Sequence, residues 1–196
     1  MIFIRLLLLL MPLSVFTQSN TNFILGMGSC LDQDNDQQEI WASLEKEHLT
    51  EFFFLGDNIY GDKKDGSLEE MKSAYKKQTN RLPNWLNQIE TNAIWDDHDY
   101  GPNNADRLFA NKKKALKVFK QMWANPSYGV KGTKGCFSTF RRGPVQVFLM
   151  DCRYHKYVKT RAHPKVSDKD CQIWGKEQLD WLCAHLEASD APIKLI

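Results

Sequence analysis

The chain has 196 residues, and its 26 Lys and Arg against 24 Asp and Glu leave a formal net charge of +2. That balance excludes the basic footprint of a nucleic-acid binder. The length suits one domain with a real core, and no apolar tract reaches the roughly 20 residues of a stable membrane span.

Read from its start, Arg5 precedes Leu6–Leu10, Met11, Pro12 and Leu13, and Ser14-Val15-Phe16-Thr17 follow. A basic residue, a short apolar core and small residues after it describe a secretory signal peptide. Cleavage is expected between Thr17 and Ser19, giving a leader over residues 1–19 and one secreted or extracytoplasmic domain over 20–196. Export makes Cys30, Cys136, Cys152, Cys171 and Cys183 an odd set in an oxidising compartment. If Cys30 is the one left over, the other four allow two disulfides in three pairings. The alternative is five thiols buried as small hydrophobes.

Phe23-Ile24-Leu25-Gly26 reads as a short buried strand ending in Met27-Gly28-Ser29-Cys30. Ile40, Trp41, Leu44 and His48 recur at helical spacing behind Asp36, a plausible N-cap. Glu51–Leu55 is a second strand, stopped by Gly56-Asp57. Ser67 with Glu70 three residues on predicts a capping box opening a helix to Lys77. A further helix starts at Pro83, and Ala93-Ile94-Trp95 makes a third strand. Asp106 is expected to cap a long helix through Trp123, with Lys112, Lys113, Lys114, Lys117 and Lys120 on its solvated face. Cys136–Arg141 and Val145–Met150 flank Arg142-Gly143-Pro144, a hairpin signal. A helix over Lys176–Ala188, with Leu179 and Leu182 inward, leads to a strand at Ile193–Ile196. Strands alternating with helices argue an α/β layered domain.

The chemistry concentrates after the third strand. Asp96-Asp97-His98-Asp99 crowds three carboxylates around one imidazole, and each raises the pKa of its neighbours unless a cation offsets the repulsion. A bound metal is the simplest offset. Cys30 ends the first strand and Asp57 and Tyr60 follow the second, so three loops can converge at the carboxyl edge of one sheet. A thiolate and a phenol beside carboxylates favour a transition metal over calcium or magnesium alone. Taken singly, Cys30 suits a structural thiol, Asp57 a turn residue, Tyr60 a packing aromatic, and Asp-Asp-His a solvated turn.

Together, Gly28-Ser29-Cys30, Phe54-Leu55-Gly56-Asp57-Asn58-Ile59-Tyr60-Gly61-Asp62, Ile94–Gly101 and Asp151-Cys152-Arg153-Tyr154-His155 resemble the PhoD-like alkaline phosphatases, within the calcineurin-like metallophosphoesterases. Gly175–Leu182 is similar to that family's helix before a central strand. The resemblance implies a four-layer α/β/β/α sandwich, of which this chain is the N-terminal half, and hydrolysis of phosphate esters. It further implies that Cys30, Asp57 and Tyr60 bind a first metal, iron(III). Asp57 would bridge to a second divalent cation (calcium, zinc or similar) that Asp97 also binds. His98 would serve the leaving oxygen or the phosphoryl charge. Arg153 would steady a phosphate oxygen or else pair with Asp151. The family's remaining ligands fall beyond Ile196, and His155, His163 and His185 do not occupy their places. The resemblance therefore leaves open a non-catalytic secreted relative with a residual metal or phosphate surface.

Overall fold

The computed structural model describes residues 23–161 and 163–196, so the leader read over residues 1–19 lies outside the described residues. The chain runs β1 (Leu25–Gly28), α1 (Gln38–Glu45), β2 (Glu51–Leu55), α2 (Glu69–Thr79), β3 (Glu90–Ile94), α3 (Asp97–Tyr100), α4 (Lys112–Met122), β4 (Ser138–Arg142), β5 (Val145–Leu149), α5 (Lys176–Ala188) and β6 (Ile193–Leu195). β1, β2 and β3 form one parallel sheet in that order. In the second sheet β4 and β5 pair as an antiparallel hairpin and β6 joins β5 in parallel.

Strand β2 shows why the sheets stack. Side chains alternate across a strand, and a strand covered on both faces must be apolar throughout. Phe52 and Phe54 face the helices, in a core with Trp41, Met71, Tyr75, Leu116 and Phe119. Phe53 points the other way, into a core with Phe140, Val145, Val147 and Leu149 of the second sheet. Its ring meets Phe140 edge-on at 5.9 Å. Beyond that sheet, Phe137, Phe148 and Met150 pack on Trp181 and Leu182 of α5. The layers are thus helix, sheet, sheet, helix, the expected α/β/β/α arrangement in partial form.

Several local expectations are corrected. The Ser67 N–H donates to Asp65 Oδ1 at 2.9 Å, so Ser67 belongs to a turn and α2 begins at Glu69 without a side-chain cap. The segment after Pro83 is a 3₁₀ turn over Asn84–Gln88. Asp106 does not open α4: its Oδ1 accepts the Leu108 N–H at 2.8 Å, closing a separate turn before the helix starts at Lys112. Lys112 is not solvated, since its Nζ donates to the Arg107 carbonyl at 2.7 Å and lies 4.6 Å from the Tyr154 ring centre. Ile40 and Leu179 are exposed, and Gln178 takes the buried place in α5. Its amide accepts the Asp151 N–H at 2.8 Å and donates to the Asp151 carbonyl at 2.9 Å. All five cysteines are free thiols, so neither of the two possible disulfides is present, and only Cys136 is buried as the alternative of five buried thiols required. Among the described residues no helix is long and apolar enough to cross a membrane.

One charged pair ties the two sheets together. Glu51 of β2 is 1% exposed, and its carboxylate accepts from Asn92 Nδ2 at 2.7 Å and from Arg142 Nε of β4 at 3.0 Å. Burial pushes the Glu51 carboxyl above its usual range even with Arg142 beside it. A carboxylate whose folded pKa is raised binds more protons folded than unfolded, so its penalty grows as pH rises through the folded value. Arg142→Met should therefore destabilise the fold by about 2 kcal/mol at neutral pH, the cost of a partly buried charge left alone. Urea unfolding at a lower pH should show a smaller loss, because the raised Glu51 carboxyl takes up a proton more readily there. A loss of equal size at both pH values would count against a tie made by charge.

Candidate metal centre

Because β1, β2 and β3 run parallel, their carboxyl ends open at one edge, and the loops that follow are stitched to each other. Cys30 N–H donates to the Gly56 carbonyl at 3.2 Å and Leu31 N–H to the Asp57 carbonyl at 2.7 Å. The Gln33 side chain clasps Tyr60, accepting its N–H at 2.8 Å and donating to its carbonyl at 3.0 Å. Between the second and third loops the backbones touch. Gly56 lies at φ 97°, and a Cβ there would stand 2.7 Å from the Asp96 nitrogen and 2.9 Å from the Trp95 carbonyl carbon. Cys30 and Asp57 also hold left-handed backbone, at φ 57° and 49°. Non-glycine residues adopt it rarely, and such strain clusters at functional sites.

These loops bring the expected side chains together. Asp57 Oδ2 lies 3.4 Å from the Tyr60 hydroxyl and 4.0 Å from Cys30 Sγ, while Oδ1 accepts the His98 N–H at 3.3 Å. Potential ligand atoms of Asp57, Asp97 and His98 all fall within 4.8 Å of one another. The Tyr60 and His98 rings lie 4.5 Å apart. Asp97 is buried, with Oδ1 accepting from Arg153 Nη2 at 3.1 Å and Oδ2 from the Asn104 N–H at 2.6 Å.

Arg153 does not pair with Asp151 through its guanidinium. Asp151 is already filled: its oxygens accept from Trp95 Nε1 and from the backbone N–H groups of Cys136, Arg153 and Tyr154 at 2.8–2.9 Å. The Arg153 side chain turns instead to Asp96 and Asp97. Its third nitrogen, Nη1, is buried without a hydrogen-bond partner among the described residues.

Three residues that sequence did not assign as ligands or catalysts build the frame. Asp99 is fully buried and joins loop to loop, with Oδ2 accepting the Asn58 N–H at 3.1 Å and the Asn58 amide at 2.7 Å, and Oδ1 the Asp96 N–H at 2.6 Å. Asp96 and Asp99 close a capping box on the single turn of α3. Asp62 accepts from or donates to His98 Nδ1 at 2.6 Å and accepts the Asn103 N–H at 3.2 Å. Asp62 lay inside a family-like motif, its only signal, whereas Asp96 and Asp99 were two of the three crowded carboxylates.

Electrostatically the carboxylates separate. Burial pushes Asp57 upward, and Asp97 and Asp96 push it further. Asp97 is opposed by burial too, but the Asn104 N–H and Arg153 hold it below its usual range. Burial would lower His98, yet the Asp62 carboxylate raises it. Burial, then Cys30 and Asp57, push the Tyr60 phenol up. Asp99 is driven well above a normal carboxyl by burial.

A family profile described as PhoD-like phosphatase matches residues 72–196. The chain belongs to the PhoD-like phosphatase family. Asp97, His98 and Arg153 lie inside the matched segment, and Cys30, Asp57 and Tyr60 precede it. A solved structure of PhoD superposes with a TM-score of 0.62 at 17% identity, over 87% of this chain and 40% of that one. At that identity the likeness carries the fold alone. No curated protein matches the chain.

The donor set fits the metals of a PhoD-like phosphatase. One thiol, one phenol and two carboxylates face each other, and behind burial the upward push on Asp57 includes repulsion from Asp97 and Asp96 that a cation would relieve. The close backbone approach at Gly56 holds this arrangement. Gly56→Ala should cost about 2–3 kcal/mol in chemical denaturation, because backbone atoms rather than a flexible side chain must move. A loss below about 0.5 kcal/mol, within surface scatter, would show that the loops separate freely.

Proposed function

We propose that this chain carries the phosphate-ester site of a metal-dependent phosphoesterase. The observation that carries the reading is one juxtaposition: carboxylates of separate strand ends converge beside a buried guanidinium nitrogen that has no partner among the described residues. Cys30, Asp57 and Tyr60 would hold iron(III), with Asp57 and Asp97 holding a second divalent cation such as calcium or zinc. When bound, such ions supply Lewis-acid charge and a water of lowered pKa.

The chain's own residues do the rest. Arg153 is fixed by Asp96 and Asp97, which leaves Nη1 to donate to a phosphoryl oxygen. Asp62 engages His98 at Nδ1, which orients the ring and leaves Nε2 to hold a proton for the leaving oxygen. The substrate class is a phosphate ester. Export is part of the proposal and is supported by the leader-like sequence of residues 1–19. A second reading, in which metal or phosphate is held without turnover, rests on the same carboxylates and guanidinium nitrogen.

Asp57→Asn should abolish metal retention and aryl-phosphate hydrolysis together, measured by elemental analysis and release of the aryl alcohol. Hydrolysis at the wild-type level would rule out the bridging role. A folded wild-type chain that holds metal and turns nothing over would favour the second reading.

Cys30 is exposed, so Cys30→Ser should leave the melting temperature within about 2 °C. It should erase the thiolate-to-metal charge-transfer band that appears on cobalt(II) titration. A large drop in melting temperature with the band intact would mark a structural thiol.

A further inference from the structure

One loop serves two surfaces. Asn103 and Asn104 give their backbone N–H groups to Asp62 and Asp97 of the metal centre, at 3.2 and 2.6 Å. The same two residues wall a cavity of about 310 Å³, which Lys156, Arg161 and His163 line as well. Asn104 takes left-handed backbone at φ 61°, which Asn tolerates better than most residues.

Charge decides what this cavity accepts. Its carboxylate, Asp106, is 7% exposed and engaged at both oxygens. Oδ1 accepts the Leu108 N–H at 2.8 Å and Oδ2 faces His163 Nε2 at 3.1 Å. Among the described residues neither Lys156 nor Arg161 makes an ion pair. Neighbouring Arg107 is occupied over the Tyr157 ring, 3.6 Å from its centre. Two unpaired cations and two asparagine side chains, whose amides bond one another, therefore border a recess beside the candidate phosphate site.

We propose that this cavity is a second anion subsite, which selects phosphoesters whose leaving group carries a further phosphate. Its link to turnover rests on the phosphoesterase reading; its ability to bind phosphate does not. Lysine and arginine recognise phosphate through charge-assisted hydrogen bonds, and the recess has room for one such group beside the loop that holds Asp97.

The test uses pyrophosphate as the probe, titrated into the metal-free chain in chelator and followed by amide NMR and calorimetry. Amide shifts at Asn103, Asn104, Lys156 and His163 should saturate together. The double variant Lys156→Gln, Arg161→Gln should melt like the wild type and bind at least about tenfold more weakly. Shifts centred elsewhere, or unchanged affinity in the double variant, would overturn the subsite.

With metal restored, the double variant should raise KM for an ester whose leaving group carries a second phosphate. It should leave kcat/KM for a neutral aryl phosphate unchanged. Equal losses on both substrates would refute the selectivity. Intact pyrophosphate binding with no turnover of either ester would sink the phosphoesterase reading and leave the subsite standing.

Discussion

The buried carboxylate of Asp99 is what the rest of the site depends on. It reaches no solvent, yet it receives three N–H groups, two from Asn58 on the second loop and one from Asp96 on the third. Those bonds lock two strand ends into one rigid piece, at the place where Gly56 lets their backbones touch. Desolvating a carboxyl so completely is costly, and its upward-shifted pKa records that cost. Helix packing would not require such an arrangement. Fixed loop geometry at a charged site does.

A similar logic separates the two carboxylates that face the centre. Asp97 is charge-balanced by the chain itself, through Arg153 and the Asn104 amide. Asp57 receives the His98 N–H, the Tyr60 hydroxyl and a long contact from the Cys30 thiol, but no cation, while facing Asp96 and Asp97. Its shortfall of positive charge marks where a cation gains most from binding. The site thus holds one carboxylate paired with a cation and one, Asp57, that is hydrogen-bonded but has no such partner among the described residues.

How much of this was legible in the sequence follows from range. α5 starts and ends where its periodicity said, and the hairpin of β4 and β5 follows from two apolar runs around a turn. Cys30, Asp57, Tyr60, Asp97 and His98 converge because parallel strands put their loops on one edge, Arg153 reaches them from the loop after β5, and motif order carried that information. What was not legible depends on partners distant in the chain or on local competition. Asp106 had an N-cap's sequence but closed a turn on Leu108 and met His163. Ser67 lost its cap because Asp65 reached its N–H first. Gln178 displaced Leu179 from the interior because the backbone of Asp151 needed an amide there. No local pattern announces such a need.

The position of Arg153 follows from the same accounting of polar groups. Sequence left it a choice between a phosphate and Asp151. The structure removes Asp151 by filling both its oxygens with Trp95, Cys136, Tyr154 and the backbone of Arg153 itself. The guanidinium is then pushed across to Asp96 and Asp97, and a planar fork gripping two carboxylates cannot also turn its third nitrogen back towards them. Nη1 is left as a buried donor with no acceptor among the described residues, facing away from the carboxylates that hold the rest of the guanidinium. The acidic side of the site therefore calls for cations and its basic side for an anion. A phosphate ester bound against metal ions satisfies both demands at once.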